Sequence, residues 1–201
     1  MLPSISSSIS LISDATASQT SSGPAAPLGS TYVIPASDSD RGLVVVTSAG
    51  VVEGDARTAV PSGGELVTLS GGEGELELIY IKNATGSTIA RGKAVMIGAA
   101  AAPYSITEGN ATAVTQPTQA IIGITLFDIP TAKCAWIVKR GVVKGRGGAT
   151  VSAAGTALMV NGDGEFITAT DGSTDITGDS SKVVSLEALS DNNLGKVFIN
   201  G

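Results

Sequence analysis

From residue 42 onward the chain is a succession of short apolar runs, each stopped within a few residues by glycine, proline or asparagine. That punctuation limits what it can fold into. The runs are 42–47 (GLVVVT), 65–70 (ELVTLS), 75–82 (ELELIYIK), 93–98 (KAVMIG), 111–115 (ATAVT), 119–127 (QAIIGITLF), 134–139 (CAWIVK) and 142–144 (VVK). Later come 156–160 (TALMV), 165–170 (EFITAT), 182–188 (KVVSLEA) and 196–200 (KVFIN). Ala49-Gly50 is a turn signal before Val51-Val52, and Asn83-Ala84-Thr85-Gly86 closes the 75–82 run with turn chemistry. Strand-length runs rich in β-branched residues and bounded by turn formers predict an all-β fold, a small barrel or sandwich. No helix longer than a turn or two is expected. Pro117 and Pro130 stand just outside strand candidates, where a missing N–H is tolerated.

Composition sharpens this reading. The 26 glycines and the 3% of aromatics leave a core of small side chains, so burial per residue is modest and oligomerisation is a natural way to add buried area. Net charge is −6, which argues against a general nucleic-acid binder. No apolar run approaches the roughly 20 residues of a membrane-spanning helix. The N-terminus lacks basic residues and a continuous apolar stretch, so no secretory signal is expected. A single cysteine, Cys134, excludes an internal disulfide framework. Either the compartment of synthesis is reducing or disulfides are simply not needed.

The chain divides by texture. Residues 1–40 hold twelve serines and no Lys or Arg, and read as an extended arm or linker. Within it, Ile5, Ile9 and Ile12 form an apolar cluster with helical spacing. It is either a disordered terminus or a tether that orders on a partner. Residues 41–75 form a short β segment that joins the arm to a β-barrel domain at 76–201.

One pattern occurs twice. Residues 89–97 (IARGKAVMI) and 152–160 (SAAGTALMV) share Ala-x-Gly-x-Ala-(Val/Leu)-Met-(Ile/Val) at an offset of 63. A glycine before a strand permits positive φ at the turn. If the repeat is not chance, the two halves of residues 76–201 are structurally equivalent.

The catalytic vocabulary is thin. There is no histidine, hence no His base, no His ligand and no Ser-His or Cys-His pair. No phosphate loop is present, and Gly145-Arg146-Gly147-Gly148 reads as a flexible hairpin tip. Glu73, Glu75 and Glu77 alternate as a solvated strand face or a charged edge that blocks aberrant pairing. Residues 161–165 (NGDGE) read as a hairpin turn rather than a calcium loop, and Asp171, Asp175 and Asp179 as a polar loop. Cys134 is expected to be buried and inert, and Trp136 to anchor either the core or an interface. No enzyme activity, cofactor or metal is expected.

Charge is uneven. Lys133, Lys139, Arg140, Lys144 and Arg146 are five of the twelve basic residues, within fourteen positions and with no acid among them. Residues 161–201 carry seven acids against Lys182 and Lys196. The expectation is either a polarised molecule whose basic face docks on an acidic protein surface, or scattered strand-end charges.

The order of motifs in residues 76–170 resembles the small β-barrel, β-tulip-like modules of tailed-bacteriophage capsid decoration (cement) proteins. The resemblance is carried by Lys82-Asn83-Ala84-Thr85-Gly86, Ile122-Gly123-Ile124, Ile129-Pro130, and Trp136 with Gly141 and Val143. It implies a non-catalytic virion protein made in the host cytoplasm and bound to the capsid exterior. Its implied partners are the major capsid protein and itself, as a homotrimer, with no nucleic acid and no membrane. A receptor-binding tail-fibre or spike module is the alternative. The scarcity of aromatics for glycan stacking counts against it.

Overall fold

The computed structural model describes residues 28–34, 43–47, 50–53, 65–68, 76–97, 105–108, 121–126, 128–169 and 182–201. Ile5, Ile9, Ile12, Glu73, Glu75, the 111–115 run and Asp171, Asp175 and Asp179 lie outside them. The described residues form strands, bridges and turns and no helix, so the protein is all-β.

Four strands come from the first 75 residues: β1 (Thr31–Ile34), β2 (Leu43–Thr47), β3 (Gly50–Glu53) and β4 (Glu65–Thr68). The β2, β3 and β4 strands pair antiparallel in the order β3-β2-β4. Nine follow: β5 (Leu76–Asn83), β6 (Ala94–Ile97), β7 (Ser105–Glu108), β8 (Ile121–Thr125), β9 (Cys134–Arg146), β10 (Leu158–Val160), β11 (Phe166–Thr168), β12 (Val183–Ser185) and β13 (Leu194–Ile199). The sequence pattern anticipates most of them. It gives no sign of β1, which lies inside the Ser-rich segment and pairs antiparallel along β5 from Thr31↔Ile79 to Ile34↔Leu76. Its β-branched run is masked by the linker-like composition of the segment around it. β7 gives no sign in the sequence either, because Ile106 is its one apolar residue.

The pairings close into two rings. In the first, β5 pairs with β7, β7 with β6, β6 with β8, β8 with β9, and β9 returns to β5. In the second, the C-terminal half of β9 pairs with β13 and β13 with β12. The Ala157↔Val184 bridge then reaches the β10–β11 hairpin, and Gly147↔Phe166 returns to the end of β9. Closing a sheet on itself removes exposed edges. β9 belongs to both rings. The sequence suggests two strands there, because Arg140 and Gly141 interrupt the apolar run, yet the thirteen residues are continuous. The register shifts between Glu77 and Leu78, whose partners are Arg140 and Val138, leaving Lys139 as an extra residue. Such a bulge bends a strand and changes which side chains face inward. Gly141 follows it at φ 121°, a value that side chains disfavour.

The two rings are the same unit twice, as the repeated motif implies. Gly92 and Gly155 both sit at φ +79° in the turn before the second strand of each unit. Gly92 N donates to Thr125 O (3.0 Å), and Gly155 N to Ser185 O (2.7 Å). The buried Thr125 hydroxyl donates to Ala90 O (2.8 Å) and accepts from Lys93 N (3.0 Å). The buried Ser185 hydroxyl donates to Ala153 O (2.9 Å) and accepts from Thr156 N (3.1 Å). The Ile89↔Ile129 bridge matches Val151↔Leu189. Ala132 (φ 61°) and Asn192 (φ 58°), the only described non-glycine residues at positive φ, occupy the same turn before the last strand. Ala132 N donates to Asn83 O, and Asn192 N to Gly147 O. Each buried hydroxyl bridges a turn carbonyl and a turn N–H, with Ala90 O accepting also from Lys93 N at 3.4 Å and Ala153 O from the Thr156 hydroxyl at 2.8 Å.

Candidate interaction surface

Side chains alternate across a strand, so each barrel has an inner and an outer face. In the first barrel the inner face holds Ile79, Ile81, Ala135 and Ile137, all buried. The hydrogen-bond and register equivalences place Val143, Gly145, Gly195 and Val197 at the matching inner positions of the second, also buried. Gly145 corrects the sequence reading of 145–148 as a flexible hairpin tip. A Cβ there would lie 2.8 Å from Phe166 Cδ2, and one on Gly147 would lie 2.5 Å from Ser190 O. Those glycines let strands approach and are packed, not loose.

The outer faces differ. In the first barrel Leu78, Tyr80, Ile124, Leu126, Cys134, Trp136 and Val138 are all buried. Tyr80 and Trp136 are directly opposed in register, with ring centroids 5.0 Å apart and planes at 45°. This answers the question left open for Trp136: it is a core anchor, 4% exposed. Its indole nitrogen has no hydrogen-bond partner among the described residues. Cys134 is buried, as expected, and desolvation pushes its thiol pKa up, opposed by the Tyr80 side chain and by Lys82 and Lys133. In the second barrel the matching positions are Val142 for Leu78, Lys144 for Tyr80, Val184 for Ile124, Leu186 for Leu126, Leu194 for Cys134, Lys196 for Trp136 and Phe198 for Val138. All of these are half-buried or exposed, Leu186 at 43%.

The basic residues singled out by sequence do not act as one group. Lys139, the bulge residue, bonds Glu77 at 2.7 Å. Lys133 lies in the turn before β9, half-buried. Arg140, Lys144 and Arg146 share the outer face of β9, Arg140 at the bulge and Arg146 at the far end. Arg146 donates from Nε to Arg91 O and from Nη1 to Asn192 O, each at 3.3 Å, tying β9 to turns of both barrels. Lys144 stands directly opposite Lys196 of β13, and Lys182 lies beside β12, where its carbonyl accepts from Asn200 N. The register therefore adds Lys196 and Lys182 to this face, although they belong to the acid-rich end of the sequence. No spacing rule could have joined them, because strand pairing decides it. Glu187 stands at the rim, its carboxylate accepting from Lys196 N at 2.8 Å.

Three of the residues that carry the resemblance, Asn83, Thr85 and Ile129, are bonded together. Asn83 is fully buried: its Nδ2 donates to Ser87 O and Ile129 O (2.8 Å each), and its Oδ1 accepts from Thr85 N (2.8 Å) and Thr85 Oγ1 (2.6 Å). The Thr131 hydroxyl donates to Thr85 O. Gly147 takes the corresponding place in the second unit. The 161–165 segment is the β10–β11 turn, with Asn161 Oδ1 accepting from Asp163 N and Glu165 N at 2.9 Å each. Among the described residues no group of three or more His, Cys, Asp or Glu side chains could hold a metal, and no helix is long and apolar enough to cross a membrane.

No protein-family model matches the chain, and no curated protein does. Among solved structures it is similar to the N base of the head fiber protein gp8.5 of bacteriophage phi29, with a TM-score of 0.46 and 10% sequence identity over 61% of this chain and 94% of that one.

Proposed function

We propose that the protein is a non-catalytic structural component of a phage virion, bound to the outside of the assembled capsid as a homotrimeric cement. The observation that carries this reading is the Asn83 frame. Three residues of the motifs that resemble decoration proteins, Asn83, Thr85 and Ile129, are bonded together, and Thr131 beside them bonds Thr85, so that the first turn of the barrel is held against the loop before β9. Trp136 and Gly141 then set the two halves of β9. A trimer contacting several capsid subunits at once gains avidity through effective concentration. Binding only the assembled lattice stabilises that lattice by mass action.

The test is co-sedimentation of the purified full chain with assembled heads, combined with light scattering of the chain alone. A trimer that pellets with heads and raises their melting temperature is the expected result. Absence of head binding at every ionic strength overturns the reading, and binding to a glycan array instead would assign the protein to the receptor-binding class.

A further inference from the structure

The eight-stranded sheet ends in β1 on one side and in β12 on the other. The outward side of β12 is taken: Gly155 N donates to Ser185 O (2.7 Å), Ser185 N donates to Thr156 O (2.9 Å), and Ala157 bridges Val184. Among the described residues β1 pairs with β5 alone. The bonds to β5 decide which of its backbone groups stay outward. Tyr80 N donates to Ser30 O at 2.8 Å, so Ser30 is a bonded position. Bonded positions alternate along an antiparallel pair, so Tyr32 and Ile34 also turn their N–H and C=O toward Leu78 and Leu76. Thr31 and Val33 therefore turn theirs outward. Both residues are exposed, Val33 at 45%. No charged residue lies between Asp14 and Asp38, so β1 lacks the charges that blunt a sheet edge. The edges of the three-stranded sheet, β3 and β4, carry Glu53 and Glu65 instead.

We infer that the outer edge of β1 pairs with β1 of a second copy of this chain, antiparallel across a two-fold axis at Tyr32. A two-fold contact sets one surface against itself, so it needs a self-complementary edge. β1 is such an edge. With the axis at Tyr32, Thr31 of each copy lies opposite Val33 of the other. Those are the positions whose N–H and C=O point outward, so every outward group of the strand gains a partner. An axis on Thr31 would set Val33 against Gly29, whose N–H already bonds Tyr80 O. An axis on Val33 would set Thr31 against Pro35, which has no N–H to give. Opposite positions share a face, so Thr31 of the second copy would also cover the exposed Val33 side chain. The strand carries no charge to oppose the pairing, although each chain has a net charge of −6. The contact is separate from the trimer of the proposed function. It joins copies two at a time, so where trimers form it links one trimer to the next.

The experiment is cysteine crosslinking of the full chain under mild oxidation, read on a non-reducing denaturing gel, beside sedimentation of the wild type and Val33→Lys. Cys134 is buried, which leaves the introduced thiols as the accessible ones. Facing Cα atoms of paired strands lie about 4.5–5.5 Å apart, within disulfide reach. Tyr32→Cys is expected to give covalent dimers. Thr31→Cys and Val33→Cys should each run as single chains when oxidised alone and crosslink when mixed. Val33→Lys puts a charge on the edge and should weaken self-association through it by about tenfold, with the melt of the dilute chain unchanged. If Tyr32→Cys fails to fold, the mixed pair, at two exposed positions, decides alone. No crosslinking in the mixture overturns the inference. Thr31→Cys crosslinking alone as readily as in the mixture also overturns it, by setting another register. Val33→Lys with the same mass as the wild type at every concentration assigns any self-association to another surface and overturns it as well. Head binding plays no part in these readouts, so a chain that never binds heads overturns the proposed function and leaves this inference standing.

Discussion

The two barrels share one backbone plan and differ in what they show to solvent. At matching outer positions the first barrel has Tyr80 and Trp136, the second Lys144 and Lys196. At the first strand's exit the first has Asn83, with four side-chain hydrogen bonds, and the second has Gly147. Their repeated glycine turns differ too. A Cβ on Gly92 would meet Leu194 Cδ2 at 2.4 Å and Arg146 N at 2.9 Å, whereas one on Gly155 would meet nothing within 4 Å. In addition, Gly92 O accepts from Arg146 N at 2.8 Å. The second unit thus packs on the turn of the first, while its own turn stays open. A duplicated unit keeps the hydrogen bonds that define its turns and changes its surface wherever its neighbours change.

The exchange of outer-face residues tests this contrast most severely. Trp136→Lys puts an ammonium into a closed apolar face, and a loss of at least about 4 kcal/mol, read by denaturant unfolding, is expected. Lys196→Trp, the reverse exchange, should shift stability by no more than about 1 kcal/mol. Equal effects would mean that the two faces are not differently buried.

The glycine turns come next. Gly92→Ala adds a steric clash to an unfavourable φ and should cost about 3 kcal/mol. Gly155→Ala meets only the backbone cost, about 1 kcal/mol. A Gly155→Ala loss as large as that of Gly92→Ala would show that the second turn is covered in solution.

The shared hydroxyls should behave alike in both barrels. Thr125→Val and Ser185→Ala each remove a buried hydroxyl that bridges a turn carbonyl and a turn N–H, at about 1 kcal/mol apiece by thermal melt. A clear difference would break the equivalence of the units.

The smallest effect is that of Cys134, whose counterpart is the aliphatic Leu194. Burial raises its thiol pKa above the ordinary value of 9.0, so the unfolded chain ionises first as pH rises. Its contribution is fully present below pH 9 and is lost above it, as the unfolded state releases its proton while the folded state keeps it, with a slope of at most about 1.4 kcal/mol per pH unit. Cys134→Ala should flatten the stability curve between pH 9 and 10. An unchanged slope would mean that the thiolate is tolerated on the closed face.

How much of this was legible beforehand depended on the kind of signal. Strands β2 to β6 and β8 to β13 follow from β-branched runs between turn formers, because local chemistry sets them. β1 and β7 are four residues each and are strands by virtue of their partners. The burial of Cys134 follows from the apolar run around it. The packed state of Gly145 and Gly147 does not, since a glycine at a loop tip and a glycine under a phenyl ring look alike in a sequence.

The sequence by itself determined the all-β class and most of the strands, because β-branched runs between turn formers are local signals, and it offered the duplication as one of two readings of the Ala-x-Gly-x-Ala pattern. Only the tertiary structure decided that β9 is one strand shared by two rings. Only it placed Lys196 opposite Lys144, closed one outer face and left the other open. Those outcomes depend on register between residues far apart in the chain, and strand register is set by which faces can be buried together, a property that no local stretch of sequence possesses.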